Sequence, residues 1–165
     1  MPFKERLLDF MREVTYKPMG ESELARALGI GPADRDIFAK ALRQMEAEGL
    51  IVKNRRRHFG TPERMGLVVG SLDMSARGFG FLIPHNPDVK DIYIGRDDLN
   101  TAMNKDVILV RPKPKAKDEG KIEGEVLRVL KRVNKRVVGT VERDRHLCFI
   151  IPDDKRFYWD IFVPQ

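Results

Sequence analysis

The segment Arg77-Gly78-Phe79-Gly80-Phe81-Leu82-Ile83-Pro84, followed by Asp91-Ile92-Tyr93-Ile94, is the most informative stretch of the chain. In an extended strand successive side chains alternate between faces, so Phe79 and Phe81 emerge on one side with only Gly80 between them. Tyr93, on a neighbouring strand, is placed to add a third ring, and Gly78 and Gly80 are expected to remove bulk beside the rings. Two readings of these residues stand side by side. The rings form a platform on which unpaired bases stack, at about 1–3 kcal/mol per base, or they fill the core of a small glycine-kinked barrel.

Around this stretch the apolar pattern is strand-like. Leu67 to Leu72, Phe79 to Ile83, Ile92 to Ile94, Val107 to Arg111 and Ile122 to Leu130 are five short candidate strands. Five such strands in this length predict a closed five-stranded barrel over residues 66–132. A long connection, Asp97 to Asn104, joins the third strand to the fourth. A basic turn, Pro112-Lys113-Pro114-Lys115-Ala116-Lys117, joins the fourth to the fifth. Its lysines Lys113, Lys115 and Lys117 are candidates for phosphate contact, as is Arg77 beside the rings; a solvated loop tip is the plain alternative.

Upstream the periodicity is helical. Phe3, Leu7, Leu8, Met11 and Val14 mark a first amphipathic helix, and Glu21 to Leu28 a second, closed by Gly29. Pro32 opens a third, whose Phe38, Leu42 and Met45 lie on one face before Gly49. Leu50-Ile51-Val52 and His58-Phe59-Gly60 then flank a polar turn. Three helices and a hairpin describe a winged helix-turn-helix over residues 1–61, with 62–65 as a linker. The third helix sets Arg35, Lys40 and Arg43 against Asp34, Asp36, Glu46 and Glu48, a net-acidic face poorly suited to a DNA groove. The wing carries Lys53, Arg55, Arg56 and Arg57 within five positions. These are either phosphate contacts that read no sequence or a solvated hairpin tip.

Downstream the barrel pattern returns. Val69-Gly70-Ser71 recurs as Val138-Gly139-Thr140 and Asp91-Ile92-Tyr93-Ile94 as Asp160-Ile161-Phe162-Val163, both at an offset of 69. Phe81-Leu82-Ile83-Pro84 recurs as Phe149-Ile150-Ile151-Pro152 at an offset of 68. Strands are retained while turns change length. Residues 133–165 are therefore expected to form the first three strands of a second barrel. The sequence reaches Gln165 three residues after Phe162, so the chain reads as a fragment. The fold class expected is α+β and multi-domain: a winged helix, a complete barrel and a truncated one.

Composition allows this. Of 165 residues 42% are hydrophobic and 34% charged, a globular balance, and 31 basic against 25 acidic residues give +6, which permits a polyanionic partner. The only cysteine, Cys148, cannot form an internal disulfide, no apolar signal core follows Met1, and no run is long enough to span a bilayer. A cytoplasmic location without a membrane partner is expected. Catalytic chemistry is sparse. Asp97-Asp98 and Asp153-Asp154 are isolated pairs, not the converging set that holds two metal ions. His58, His85 and His146 lack cysteine partners for zinc, and Ser22, Ser71 and Ser75 lie in no nucleophile motif. No catalytic residue, metal ligand or cofactor site is assigned.

The Arg77 to Phe81 pattern with Asp91 to Ile94 resembles the paired ribonucleoprotein motifs of cold-shock domains, which are OB-fold barrels. The full order (winged helix, Gly49-Leu50-Ile51-Val52, basic wing, Pro62-Glu63-Arg64-Met65, cold-shock barrel, second barrel with Phe149-Ile150-Ile151-Pro152-Asp153-Asp154) resembles the N-terminal region of the bacterial ribonuclease R family. That resemblance covers essentially the whole chain. It implies a parent 3′ to 5′ exoribonuclease, with these domains guiding RNA, or helping to unwind it, for a downstream magnesium-dependent catalytic domain that is absent here. Matched residue by residue, it implies RNA stacking on Phe79, Phe81 and Tyr93, with Gly95 and Arg96 standing where the motif often has a histidine and an aromatic. In the second barrel His146-Leu147-Cys148-Phe149 replaces the Gly-Phe-Gly-Phe pattern, leaving Phe149 and Phe162 as the matching rings.

The partner expected is single-stranded or structured RNA, with the ribosome as a further candidate. Two other classes remain: a winged-helix regulator of duplex DNA, and a module that docks on a protein or the ribosome. Binding to single-stranded RNA against duplex DNA at matched salt separates them.

Overall fold

The computed structural model describes residues 3–114, 120–144 and 147–164. The chain divides into two compact units, Met1–Leu67 and Val68–Gln165.

The first unit is built on α1 (Lys4–Arg12), α2 (Glu21–Ala27) and α3 (Arg35–Ala47), with a short hairpin of β1 (Val52–Lys53) and β2 (Phe59–Gly60). The helical faces read from the sequence meet in one core, in which Leu7, Met11, Leu24, Phe38, Leu42 and Met45 are buried. Val14, counted on the first apolar face, is instead 93% exposed. The helix stops before it: Arg12 is its last residue and Glu13 turns to ψ 139°. The carbonyls freed at that end are satisfied from far along the chain, because the Arg64 guanidinium donates to the carbonyls of Arg12, Glu13 and Tyr16. Residues 62–65, read as a plain linker, thus contain a 3₁₀ turn (Glu63–Met65) whose arginine closes α1. Tyr16, beyond that cap, is buried and donates its hydroxyl to the Phe59 carbonyl at 2.9 Å. Burial raises its pKa above the ordinary tyrosine value.

The predicted strand Leu50-Ile51-Val52 is pushed along the chain to Val52–Lys53, paired with Phe59 and Gly60. Ile51 lies in the core before the strand begins. Between the strands Asn54 organises the tip: its side-chain oxygen accepts the backbone N–H groups of Arg56 and His58 at 2.9 and 3.0 Å. An asparagine holding its own turn in this way leaves the intervening side chains free to face water.

The second unit opens with the closed five-stranded barrel that the strand count predicts. Its strands are β3 (Val68–Met74), β4 (Gly80–Pro84), β5 (Ile92–Ile94), β6 (Val107–Pro112) and β7 (Ile122–Lys131), in the order β3-β4-β5-β7-β6 and back to β3. Pairing is antiparallel except between β5 and β7. Alternate residues point inward, so Leu72, Leu82, Ile92, Ile94, Ile108 and Val110 form the core, each at most 1% exposed. The register of β3 on β4 demands a residue without a side chain at Gly70, where a β-carbon would collide with the Ile83 carbonyl oxygen.

A three-stranded sheet follows: β8 (Gly139–Asp144), β9 (Leu147–Pro152) and β10 (Ile161–Phe162), with β9 in the middle. It repeats the barrel's register pair for pair. Gly70 faces Pro84 and Leu72 faces Leu82; correspondingly Gly139 faces Pro152 and Val141 faces Ile150. Gly139 meets the Ile151 carbonyl as Gly70 meets that of Ile83. The connection from the barrel is pinned by a buried carboxylate. Asp106, fully buried, accepts from Arg132 Nη1 at 2.6 Å and from the Val133 N–H at 3.2 Å, while Asn134 Nδ2 donates to the Asn104 carbonyl at 2.6 Å.

Candidate nucleic-acid interface

β4 and β5 set the central surface. Phe81 lies directly opposite Tyr93 in the antiparallel register, and Phe79 stands just ahead of β4. Leu82, Ile92 and Ile94 take the inward positions, which sends Phe79, Phe81 and Tyr93 outward together. Their centroids are 5.9 Å apart for Phe79 and Phe81, 5.5 Å for Phe79 and Tyr93, and 5.7 Å for Phe81 and Tyr93. Phe81 is 39% exposed. The alternative in which these rings fill the barrel is overturned, since the core is made of the aliphatic residues between them.

The glycines act differently from the sequence expectation. Gly80 faces inward, where a β-carbon would lie 2.8 Å from Leu72 Cδ1 and 2.9 Å from Met74 Sδ. It makes room for the core, not for the rings, because strand alternation puts it on the opposite face from Phe79 and Phe81. Gly78 has φ +85° and a β-carbon there would sit 2.8 Å from the Tyr158 ring. Its lack of a side chain lets an aromatic from the downstream sheet reach the turn before β4.

The expected cations fall into three groups. Arg77 is exposed beside the rings, and its carbonyl accepts from Arg96 Nη2 at 3.3 Å. Lys113 is paired with Asp98 at 2.7 Å, and that hydrogen bond raises its pKa. Asp98, read as a solvated turn residue, is the partner that holds it. Lys115 and Lys117 lie outside the described residues. In the first unit Lys53 is turned away from the wing tip: its ammonium is 3.1 Å from Glu46 of α3 and 4.6 Å from the Phe59 ring centroid. Arg55, Arg56 and Arg57 are exposed and make no ion pair among the described residues. Two of the acidic residues counted on α3 are paired within this unit, Glu46 with Lys53 and Glu48 with Lys4 at 3.2 Å.

In the downstream sheet Phe149 and Phe162 face one another in register with centroids 5.8 Å apart. Leu147 occupies the place of Phe79, so this face has two rings where the barrel has three. Asp154, of the second aspartate pair, accepts from Arg156 at 2.7 Å, which lowers its pKa. Among the described residues no group of three or more His, Cys, Asp or Glu side chains is placed to hold a metal ion. No helix among them is long and apolar enough to cross a membrane.

Sequence reading missed Tyr158 and Trp159. Tyr158 packs on the barrel and lies 4.3 Å under the Arg96 guanidinium, and its ring is 5.2 Å from that of Trp159. The available signal was the position of two adjacent rings immediately before Asp160, where the repeat resumes; the first repeat has Val89 and Lys90 there.

Comparison with known proteins places these features. Residues 70–129 match the model of the ribonuclease B OB domain. Over 162 residues, 98% of this chain, the sequence is 32% identical to ribonuclease R of Acidithiobacillus ferrooxidans, and covers 36% of that protein. Over 166 residues it is 31% identical to ribonuclease R of Escherichia coli, of which it covers 20%. The fold of yeast Ssd1, a pseudonuclease, is similar with a TM-score of 0.53 at 19% identity over 62% of this chain and 18% of that one. The chain is thus ribonuclease R-like along nearly its whole length, and spans about a fifth to about a third of the curated relatives it matches.

Proposed function

We propose that this chain binds single-stranded RNA on the outer face of β4 and β5 and guides it toward the catalytic part of a ribonuclease R-type exonuclease. The observation that carries the reading is the outward cluster of Phe79, Phe81 and Tyr93. Three rings within 6 Å of one another, on a barrel whose core does not use them, offer π-faces to successive bases whatever their sequence. Arg77 lies beside them to meet the backbone. In this reading the first unit is a winged helix whose tip, Arg55 to Arg57, holds the phosphates of a structured segment. The register repeated in β8, β9 and β10 favours the first three strands of a second cold-shock barrel, with Phe149 and Phe162 as a lesser stacking pair. Magnesium and hydrolysis belong to a catalytic segment beyond these residues.

Fluorescence anisotropy with labelled single-stranded RNA and duplex DNA at matched salt tests the reading. Tighter binding to the single strand is expected. Preference for duplex DNA would favour a regulator, and binding to neither would favour a protein-docking module. Replacing Arg55, Arg56 and Arg57 with glutamine is expected to lower the slope of log affinity against log salt by about 2 to 3 if each neutralises a phosphate. An unchanged slope would make the wing a solvated hairpin tip.

A further inference from the structure

We infer that the stacking surface extends past the barrel onto Trp159, so that a strand lying on Phe79, Phe81 and Tyr93 continues to a further base contact supplied by the loop between β9 and β10. The inference rests on the RNA-binding reading above and extends it. The contacts form a continuous series. Phe79 follows Gly78; Gly78 is open to the Tyr158 ring; Tyr158 lies under Arg96, which also donates to the Arg77 carbonyl; and Trp159 packs edge-on against Tyr158 at an interplanar angle of 80°.

The two adjacent rings have different surroundings. Tyr158 is partly buried against the barrel core, whereas Trp159 is 49% exposed. The hairpin does not require either ring for its register, because the equivalent loop of the barrel has Val89 and Lys90 in their place and pairs its strands in the same way. The setting is also cationic. Arg77 and Arg96 are exposed at this corner and linked to each other, and neither makes an ion pair with a carboxylate among the described residues. A half-exposed indole packed on a tyrosine that carries the Arg96 guanidinium, continuous with a ring platform, fits an unpaired base and its phosphate better than an apolar protein segment. Tyr158, packed against the barrel core and the Gly78 turn, holds the loop on the barrel before any ligand arrives, which limits the ordering cost of binding.

Trp159 is the only tryptophan of the chain, so its emission reports this one position. The experiment follows tryptophan fluorescence while oligouridines of about 4 and about 16 nucleotides, the ends of the range for one OB barrel, are added, with affinity measured separately by anisotropy of labelled RNA. Quenching by the longer strand and little by the shorter is expected. Trp159→Ala is expected to weaken the longer strand by about 5- to 150-fold, the equivalent of one lost stack, with Trp159→Phe recovering most of it. If the longer strand binds but leaves the emission and the Trp159→Ala affinity unchanged, the extension is wrong and the barrel platform stands. Equal quenching by both lengths at equal affinity would also overturn continuity. If neither strand binds, both readings fall together.

Discussion

The barrel strands β3, β4 and β5 and the sheet strands β8, β9 and β10 share register, a close-packed glycine and a pair of facing rings, yet only the first set encloses a core. In the barrel β6 and β7 close the ring of strands, and Leu72, Leu82 and Ile92 are shielded from water. In the sheet the equivalent face stays more open: Val141, the counterpart of Leu72, is 59% exposed, and Ile150 and Ile161 are only partly buried. Strand pairing is therefore encoded locally, while burial comes from closure. The rings on the outer face do not depend on closure for their spacing, since Phe81 and Tyr93 stand 5.7 Å apart and Phe149 and Phe162 5.8 Å.

The sharpest way to break this comparison is to remove equivalent side chains from the two regions. Leu82→Ala, at a fully buried position, is expected to cost about 2–5 kcal/mol in urea unfolding followed by circular dichroism. Ile150→Ala, at the matching place in β9, should cost well under half of that because water already reaches the site. Equal losses would show that the sheet has a closed core of its own.

A smaller effect is expected at the junction. Asp106→Asn keeps the shape of the side chain but removes the charge facing Arg132, so about 1–3 kcal/mol should be lost. Amide exchange of β8 to β10 should quicken more than that of β3 to β5. Uniform quickening would mean that Asp106 supports the barrel alone.

The smallest expected effect concerns neither β region but gives a reference for both. Tyr16 has a pKa raised by burial, so the folded state keeps its proton when the unfolded chain has lost it. Its contribution to the helical unit is complete below the unfolded value of about 10 and falls as pH rises through the higher folded value. Near-ultraviolet absorbance should show one tyrosine titrating late, together with melting of α1 to α3. Titration of Tyr16 at the ordinary tyrosine value would contradict this.

Much of this architecture was legible in the sequence, for reasons that also explain what was not. Phe38, Leu42 and Met45 share a helical face by spacing alone, and the alternation of Phe79, Gly80 and Phe81 specifies a strand without reference to its neighbours. The ring cluster was legible as a pair plus Tyr93, but its side of the barrel was not, because the direction of the core is decided only when β6 and β7 close the ring of strands. The face of Gly80 was legible, since it lies between Phe79 and Phe81 and period-two alternation sets it opposite both; what it makes room for appears only when Leu72 and Met74 pack beneath it. Arg64 closing α1, Lys53 held by Glu46 and Tyr158 reaching Gly78 are contacts across long stretches of chain, and no local period announces them.

The central claim is that Phe79 and Phe81 are ligand-facing, not structural. Its most direct test is the double variant Phe79→Ala, Phe81→Ala, with affinity for single-stranded RNA measured beside circular dichroism of the same sample. The account predicts an intact barrel and affinity weakened by about 1–3 kcal/mol for each base that loses its ring, with the Phe149→Ala, Phe162→Ala variant losing less. A folded barrel with unchanged affinity, or a barrel that no longer folds, would contradict it.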